Sequence, residues 1–591
     1  MILFNNAGIG LIFLTALLLL GACQGGNSEL IKTGLMTSES FKPVRGKKHM
    51  VAVGHPLAAK TSRDILRRGG SALDAAIAAE MVLSLVEPQS SGIGGGAFLV
   101  HYAKKTGTID TYDGREIAPS SANPYMFLDS SGEPLNWNDA SIGGLGVGVP
   151  GLLRMLELAH KEHGRLSWSD LFQPAIDIAR KGFPISLRLA RQIESAKRLF
   201  ENPVSRAYFF NADGSPKKAG SILVNPELAD TLAQVAKKGA KAFYSGDIAR
   251  DIANTISQAP IRPTRMRISD IKAYTAKKRP PVCLPYRSWL ICGMGPPSSG
   301  GITTLQIMGI LGKFDLGKIK IKTNDGAVKA LHLIGEASSL AFADRNFYIG
   351  DPDFVEVPSS ELLDQDYLSL RSNGIDLKKA FGRRQPGAPG LGFKHIPPMP
   401  SDDTENKGLS TTHMSIIDSD GNVVSMTASI ERAFGSHLMV RGFLLNNQLT
   451  DFSFKPTSGG ISHVNQARSG KRPRSSMSPT LVFDGNGKVV MAIGSPGGSH
   501  IIGYVAKTLI AVLDWNFDIQ KAIDFPNVTN RNGPIYIEKD SRFESLKPKL
   551  VKIGHKVQSL TSKSGLNGIV ITKDSIIGGS DSRREGIALG D

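Results

Sequence analysis

The 591-residue sequence predicts an α+β protein that folds as one unit. Alternating polar and apolar residues from Thr411 to Ile417, then Asp420-Gly421 and a second β-rich run, predict a β-hairpin. Strong helix formers over Asp74–Val86 and Asp325–Asn346 predict long helices. Length alone suggests about four domains. However, only Gly382–Ser410 resembles a linker, so we expect one intertwined body with helices outside a central pair of sheets.

Composition places the chain among ordinary globular proteins. Hydrophobic residues make up 41% and charged residues 21% of the sequence, a balance typical of a packed core. The formal net charge of +17 could indicate affinity for nucleic acid or anionic membranes. Lys and Arg are scattered through both halves, without a dense basic run or interleaved aromatic residues. We therefore interpret the charge as a solvated surface and expect no nucleic-acid partner.

The first 22 residues are typical of an export signal. The apolar run Gly8–Leu20 is shorter than the ~20 residues that span a bilayer. It ends in Leu-Gly-Ala before Cys23, which resembles a bacterial lipoprotein signal, where the cysteine is acylated and heads the mature chain. The opening residues MILFNN contain no Lys or Arg, unlike the usual charged start. Simple secretion into the periplasm, with an incidental cysteine, is the alternative.

Residues 23–45 are predicted to form a tether. They are mostly polar and show no periodic pattern, which suits a segment that holds a folded body away from a lipid anchor. We therefore expect a membrane-anchored periplasmic lipoprotein. Gln24, which is not Asp, favours the outer membrane.

A cluster of glycines between residues 92 and 96 follows the helix predicted at Asp74–Val86. It lacks the Gly-Lys-Ser/Thr ending of a phosphate loop and precedes a strand, so it predicts a close-packed turn. The paired strands that follow lead to Arg115, flanked by Asp113 and Glu116. That local pattern by itself predicts an ordinary surface ion pair.

Two cysteines lie in the mature chain beyond Cys23. The segment around Cys283 and Cys292 predicts two short strands that turn near Arg287-Ser288 and place the cysteines opposite each other. In an oxidising periplasm they could form a disulfide, and two free buried thiols are the alternative. The sequence shows no further Cys or His cluster nearby, so neither a metal nor another cofactor is expected.

The connector before the hairpin suggests a nucleophile that is made by chain cleavage. Gly382–Ser410 is rich in Gly, Pro and polar residues and predicts an exposed, cleavable segment. If the Ser410–Thr411 bond is broken, Thr411 has a hydroxyl and a free α-amine. An amine with a pKa of about 7.7–8.0 can accept the proton of that hydroxyl. A plain core hairpin with surface threonines would give the same local pattern.

The hairpin register decides which residues stand beside Thr411. A three-residue loop at Asp420–Asn422 would bring Ser429 and Glu431 back beside His413 and Thr411 on one face. A two-residue loop would shift the register by one and reverse the faces.

Several strings in fixed order resemble one protein family. In the second half they are TTHMSIID, FLLNNQLTDFS, KRPRSSMSPT and GSPGG. In the first half they are HPLAA, GGSALDAAIAAE, EPQSSGIGGGAF, YDGREIAP, GVPG, PPSSGG and FADRNF. Together they resemble the γ-glutamyltranspeptidase (glutathione hydrolase) family of N-terminal nucleophile hydrolases. The resemblance covers nearly the whole chain after the leader and implies an αββα four-layer sandwich.

The resemblance assigns five residues to substrate binding. Arg115 matches the arginine that binds the substrate α-carboxylate, since a guanidinium can hold a carboxylate bidentately. Ser475 and Ser476 match the serines that help to hold the same group. Gln448 and Asp451 match the residues that meet the substrate α-amine.

The resemblance also implies the catalytic groups. Thr411 is expected to attack a γ-glutamyl amide such as glutathione, with water or an acceptor amine resolving the acyl-enzyme. Gly497 and Gly498 match the pair whose backbone N–H groups form the oxyanion hole. Thr412 is a second hydroxyl that could assist. We assign His413 to structure, because the free amine already serves as the base.

The sequence departs from the family pattern at two site positions. Ser429, expected to position the Thr411 hydroxyl, stands where the family more often has Thr. Glu431 stands where better-known members have Asn, and its charge could strengthen amine binding, repel a carboxylate or admit another acyl group. The segment Lys455–Gly470, where many members have an active-site lid, contains no Tyr.

We therefore expect self-cleavage after Ser410 into a large fragment, residues 46–410 with the tether, and a small catalytic fragment, residues 411–591, which stay associated. The predicted enzyme is a γ-glutamyltransferase or glutathione hydrolase. One alternative is an acylase for another dicarboxylic side chain such as glutaryl. The other is an uncut, lipid-anchored binding protein without activity.

Overall fold

Two seven-stranded antiparallel sheets face each other at the centre of the computed structural model, which describes residues 42–390 and 410–591. The predicted signal (residues 1–22), Cys23 and nearly all of the predicted tether lie outside the described residues, as do residues 391–409 of the predicted connector.

The first sheet contains the predicted hairpin at its centre. Its strands, in spatial order, are β14 (Ile587–Gly590), β2 (Met50–Val53), β8 (Thr412–Ile417), β9 (Val423–Ser429), β3 (Gly96–Ala103), β4 (Thr108–Gly114) and β5 (Lys277–Arg279). The hairpin strands β8 and β9 are buried along their whole length.

The second sheet packs on the first. Its strands, in spatial order, are β1 (Val44–Gly46), β13 (Ile576–Ser580), β12 (Asn567–Ile571), β11 (Val489–Gly494), β10 (Thr480–Phe483), β7 (Trp289–Gly293) and β6 (Val282–Tyr286). Strands β11 and β12 lie against β8 of the first sheet. Shorter strands outside these sheets are Phe183–Pro184, Ile222–Leu223, Met439–Val440, Phe443–Leu444, Thr457–Ser458, Ile461–Ser462, Val528–Asn530, Ile535–Glu538 and Val557–Leu560.

Helices cover the outer face of each sheet. Over the first sheet lie Pro56–Arg67, Ala72–Val86, Leu152–His163, Trp168–Lys181, Pro226–Lys238 and Gly246–Ser257. Over the second lie Gly300–Leu311, Asn324–Tyr348, Gln365–Asn373, Ile501–Leu513 and Ile519–Asp524. The remaining α-helices are Trp137–Ala140, Leu187–Ser195, Pro203–Phe209, Lys241–Tyr244, Ile268–Lys272, Ser359–Leu362 and Lys547–Lys552. The layers therefore follow the order helix, sheet, sheet, helix.

Strand alternation divides the apolar residues between two cores. Val51 and Val53 of β2 pack into the core under the helices of the first sheet. Met50 and Ala52 of the same strand join the core that lies between the sheets and extends under the helices of the second sheet. Successive side chains of a strand point to opposite faces, so one strand contributes to both cores.

The helix predicted at Asp74–Val86 begins two residues earlier, at Ala72, and all of it is buried. Ser71 caps it, because its hydroxyl accepts from the Asp74 N–H while the Asp74 carboxylate accepts from the Ser71 N–H. The predicted helix at Asp325–Asn346 runs from Asn324 to Tyr348.

The two mature-chain cysteines form a disulfide. Cys283 of β6 lies directly opposite Cys292 of β7 in the strand register, as the sequence predicted for the bonded alternative. Within residues 42–390 and 410–591, no helix is both long and apolar enough to cross a lipid bilayer.

Candidate active site

A polar cavity lies beside the ends of β8, β9 and β11. It encloses about 560 Å³, part of it open to solvent. Its lining includes eight residues that the sequence placed in the site: Thr411, Ser429, Glu431, Gln448, Asp451, Ser475, Ser476 and Gly498. The other lining residues are Arg345, Arg474, Met477, Ser499 and Ile501. Residues separated by up to 156 positions in the sequence, from Arg345 to Ile501, thus meet at one opening.

The Thr411 hydroxyl lies 3.0 Å from the Ser429 hydroxyl. Both residues are buried. The Ser429 oxygen also accepts a hydrogen bond of 2.9 Å from the backbone N–H of Glu431. A hydroxyl oxygen has two lone pairs, so Ser429 can accept there and also bond Thr411, with either hydroxyl as the donor.

The hairpin register differs from the predicted one by two residues. His413 pairs with Thr427, not with Ser429, and continuing the ladder places Thr411 opposite Ser429. The loop closes one residue earlier than predicted, because the Asp418 N–H bonds the Asn422 carbonyl. The predicted partners were therefore wrong, but an even shift keeps the predicted face.

Thr411 has an unusual backbone conformation. Its φ of 136° lies in a region that residues with a Cβ rarely adopt. Its carbonyl accepts a bond of 2.8 Å from Arg584 Nη1, and the preceding Ser410 hydroxyl donates to the Gln89 carbonyl. Ser410 is only 5% exposed, so the predicted exposure of the connector is wrong at this end.

Asp451 lies between two predicted binding residues. Its Oδ2 accepts from Gln448 Nε2 at 2.9 Å and from Arg115 Nη2 at 2.6 Å. Arg115 also donates to the carbonyls of Pro473 and Arg474 and is 1% exposed. The local prediction of a surface ion pair was therefore wrong. Arg115 is not among the lining residues but holds Asp451 from behind, and its contact with a substrate carboxylate stays a prediction.

Arg345 is a cavity residue that the sequence analysis missed. Its Nη2 donates to Ser476 Oγ and its Nε to Ser299 Oγ, both at 2.8 Å. It lies in the string FADRNF, within the helix Asn324–Tyr348, most of which is buried. An arginine inside a buried helix needs polar partners, and that requirement was the available signal.

Gly497 and Gly498 follow the end of β11 in left-handed conformations, with φ of 131° and 57°. A Cβ on Gly497 would lie 2.7 Å from Tyr504 Cε2. Glycine is therefore required there. Gly498 lines the cavity, whereas Gly497 does not. Their assignment as the oxyanion hole stays a prediction.

Glu431 brings a carboxylate to the cavity beside Ser429. It is 4% exposed and has a φ of 77°. Its Oε2 accepts a bond of 2.6 Å from Asn447 Nδ2. Asn447, which the sequence analysis left without a role, therefore holds the residue that departs from the family pattern.

The two residues after Thr411 do not join the cavity lining. Thr412 faces a separate small space beside Glu87 and Arg584, so the structure does not bring it to Thr411 as a second hydroxyl. His413 is fully buried, and its ring nitrogens bond Thr427 Oγ1 at 2.8 Å and Ser415 Oγ at 3.1 Å. Burial lowers the pKa of His413 to about 3, which supports its assignment to structure.

Comparison with known proteins agrees with this architecture. The family model described as gamma-glutamyltranspeptidase matches residues 58–591. The glutathione hydrolase proenzyme of Bacillus subtilis (strain 168) is 35% identical, covering 92% of this chain and 92% of the relative. The crystal structure of a cephalosporin acylase from Bacillus halodurans superposes with a TM-score of 0.80 at 25% identity, covering 94% of this chain and 99% of that one.

A second solved structure covers part of the chain. The Helicobacter pylori gamma-glutamyltranspeptidase gives a TM-score of 0.52 at 35% identity, over 55% of this chain and 90% of that chain. The family match covers every residue that lines the cavity and all strands of the two sheets except β1 and β2. The chain therefore belongs to the γ-glutamyltranspeptidase family.

Proposed function

We propose that this chain is a γ-glutamyl hydrolase or transferase that cuts itself before Thr411 and uses that residue as its nucleophile. The main observation behind the proposal is that the Thr411 hydroxyl lies 3.0 Å from the Ser429 hydroxyl in a polar cavity. That cavity is also lined by Gln448, Asp451 and the Ser475-Ser476 pair. Glutathione is the proposed donor class, in keeping with the names of the relatives.

Self-cleavage is favoured by the local backbone. A non-glycine residue held in a sparsely populated φ/ψ region costs of order 1–3 kcal/mol, and Thr411 has a φ of 136°. That dihedral angle exists only while the Ser410–Thr411 bond is intact, so cleavage releases the restraint. Both residues are buried, which makes this bond a poor target for another protease and favours attack from within.

After cleavage, the Thr411 amine accepts the proton of its own hydroxyl, and the oxygen attacks the γ-carbonyl of the donor. The N–H groups of Gly497 and Gly498 stabilise the oxyanion. The Thr411 ammonium gives its proton to the departing donor amine. The Thr411 amine then takes a proton from the water or acceptor amine that attacks the acyl-enzyme, and returns it to the Thr411 oxygen as the acyl bond breaks. Ser429 orients the nucleophile through its hydroxyl.

The polar lining suits a γ-glutamyl group. Gln448, Asp451 and Glu431 offer two carboxylates and an amide to the substrate α-amine. In the same lining, Ser475 and Ser476 offer hydroxyls to the α-carboxylate, and the Arg345 guanidinium bonded to Ser476 adds positive charge. Arg115 supports this arrangement by holding Asp451.

N-terminal sequencing of the purified protein tests the proposal. We expect two fragments that copurify, the smaller of 591 − 410 = 181 residues beginning Thr-Thr-His-Met-Ser. Active material consisting of one unbroken chain would contradict it. An uncut, non-catalytic binding protein also predicts one band on a denaturing gel, but without turnover.

A related acylase is the second candidate function, because Glu431 replaces the family asparagine and a cephalosporin acylase shares the fold. Hydrolysis rates of γ-glutamyl-anilide and glutaryl-anilide separate the two. We expect the γ-glutamyl substrate to be faster, since only it carries the α-amine that the carboxylates can bind. Glu431→Asn is the matched variant, and faster glutaryl hydrolysis by the unmodified enzyme would favour the acylase.

The N-terminal assignments are part of the same proposal. Export through residues 1–22 and acylation of Cys23 would place the enzyme on a periplasmic membrane surface. Labelling cells with radioactive palmitate tests this: we expect label in the large fragment and none in Cys23→Ser. Label in neither form would favour simple secretion.

A further inference from the structure

A cluster of metal-ligating side chains lies at the surface where β3, β4 and the end of the helix Leu152–His163 meet. His101 of β3 stands directly opposite Asp110 of β4 in the strand register. His163, the last residue of the helix, places its Nε2 3.1 Å from Asp110 Oδ2 and 2.8 Å from the Tyr112 hydroxyl of β4. One ligand atom from each of these three residues lies within 4.8 Å of the other two.

His101 lacks a partner on one side of its ring. The residue is 2% exposed, and its buried Nδ1 has no hydrogen-bond partner among residues 42–390 and 410–591. Its ring stacks on that of His163, with centroids 3.9 Å apart. A buried ring nitrogen without a partner is costly, and an ion bound at Nδ1 would remove that cost.

A lysine already supplies a cation to this cluster. The Lys278 ammonium lies 2.8 Å from Asp110 Oδ1 and 2.7 Å from Glu162 Oε2. Glu162 Oε2 is also 3.8 Å from His163 Nε2, so a fourth ligand stands at the rim. Lys278 is 45% exposed on a long flexible stem, and its ammonium can move into solvent when a divalent ion binds.

We propose that a divalent-metal site of the Zn²⁺ class is formed by His101, Asp110 and His163, with Glu162 at its edge. The Lys278 ammonium competes with the ion for the two carboxylates. Imidazole and carboxylate ligands suit Zn²⁺. On binding at His163 Nε2, the ion displaces the Tyr112 hydroxyl from that nitrogen, and the one proton of the neutral ring stays on Nδ1. The ion also takes the place of the Lys278 ammonium between the two carboxylates. The ion would then join the helix end to both strands.

A second His-containing cluster in the described part of the chain offers a contrast. His332, Glu336 and His555 also bring ligand atoms within 4.8 Å. There, however, His332 bonds His555 at 2.8 Å and the Asp376 carbonyl at 2.7 Å, and Glu336 pairs with Arg384. Among the described residues, none of these three side chains has a buried polar atom without a partner, whereas His101 has one, so we assign that cluster to packing.

The test is Zn²⁺ titration of the tag-free, full-length protein after treatment with a chelator. We expect one site in the unmodified protein. Asp110→Asn and His163→Gln should weaken binding by at least about tenfold, the lower range of what even outer partners of a metal contribute. Lys278→Gln should strengthen it by about tenfold, because it removes a competing charge.

Lys105→Gln is the matched control. Lys105 lies in the turn after β3, is exposed, and forms no ion pair with Asp110 or Glu162. We expect this variant to bind Zn²⁺ as the unmodified protein does. The proposal is overturned if Lys278→Gln binds no more tightly than Lys105→Gln, or if His163→Gln binds as well as the unmodified protein.

Thermal unfolding supplies a second measurement. With chelator present, the melting temperatures of the variants show whether each is folded. With Zn²⁺ in excess, we expect the melting temperature to rise in the unmodified protein and in Lys278→Gln, but not in His163→Gln. An equal rise in His163→Gln would also overturn the proposal.

Discussion

Thr411 and His413 lie two residues apart on one face of the hairpin, yet their surroundings differ completely. His413 lies deep between the sheets, under Gly494, where any added Cβ would lie 2.3 Å from the imidazole ring. Thr411 lies on the same face just before β8 begins, where the sheets no longer cover that face, and it lines the cavity. His413, although histidine is the commonest general base, is thus buried and uncharged, while Thr411 lines the cavity. Depth between the sheets, not residue type, decides which side chain is available for chemistry.

The largest expected effect comes from Thr411→Val, which keeps the shape of the side chain and removes its hydroxyl. We expect an uncut precursor and no measurable turnover, because both self-cleavage and catalysis need that oxygen. Gel electrophoresis measures self-cleavage, and hydrolysis of γ-glutamyl-anilide measures turnover. Thr411→Ser is the control and should retain both, with reduced rates. Full turnover in the valine variant would contradict this comparison, since Thr411 would then be no more important for catalysis than the buried His413.

Ser429→Ala tests the hydroxyl that bonds Thr411. We expect kcat to fall by about 10²-fold, the cost typical of losing one donor at a reacting oxygen, with KM little changed. Steady-state kinetics on cleaved enzyme measures this. Ser429→Thr, the residue more frequent in the family, should restore most of the rate. If alanine and threonine variants behave alike, the 3.0 Å contact has no catalytic role.

His413→Ala should act on stability and leave the chemistry nearly intact. It creates a cavity and leaves the Thr427 and Ser415 hydroxyls without their partner. We expect a loss of about 3–4 kcal/mol in the free energy of unfolding, measured with a chemical denaturant. The folded variant should still self-cleave. A stable His413→Ala protein without activity would instead make this imidazole a catalytic group.

The smallest expected effect is a pH dependence of stability carried by His413. Its folded pKa of about 3 lies below the ordinary histidine value of 6.5, so between these values the unfolded chain binds a proton that the native state does not. Stability therefore falls as the pH falls from 6.5 toward 3. Comparing unfolding free energies with His413→Gln, we expect the unmodified protein to lose about 2 kcal/mol relative to the variant between pH 7 and pH 5. If the difference in unfolding free energy between the two proteins did not change with pH, burial would not lower the pKa of His413.

Much of this architecture could be read from local patterns. The hairpin, the two long helices and the opposed cysteines follow from short-range periodicity and turn residues, and the structure contains all of them. The exact register did not follow, because a loop at Ser419–Gly421 and one at Asp420–Asn422 have similar composition. The Asp418 side chain decides between them, since it accepts from the backbone N–H groups of Asp420 and Asn422.

Long-range contacts were harder to predict. Arg115 reads locally as a surface ion pair, but packing buries it against Asp451, 336 positions away. Arg345 was missed because its cavity partner, Ser476, is 131 positions away. The apolar helix around Arg345 was a local signal for that residue. No local pattern indicated the burial of Arg115, which depends on the distant elements that pack over it.

By itself the sequence determined the order of elements, the family resemblance and the candidate nucleophile, because these depend on residue types at short spacings. Tertiary structure alone decided that Thr411 and not His413 meets the cavity, that Glu431 is held by Asn447, and that His101, Asp110 and His163 converge. These outcomes depend on how two sheets stack and where they stop covering each other. That is a property of packing between distant segments, which no local pattern encodes.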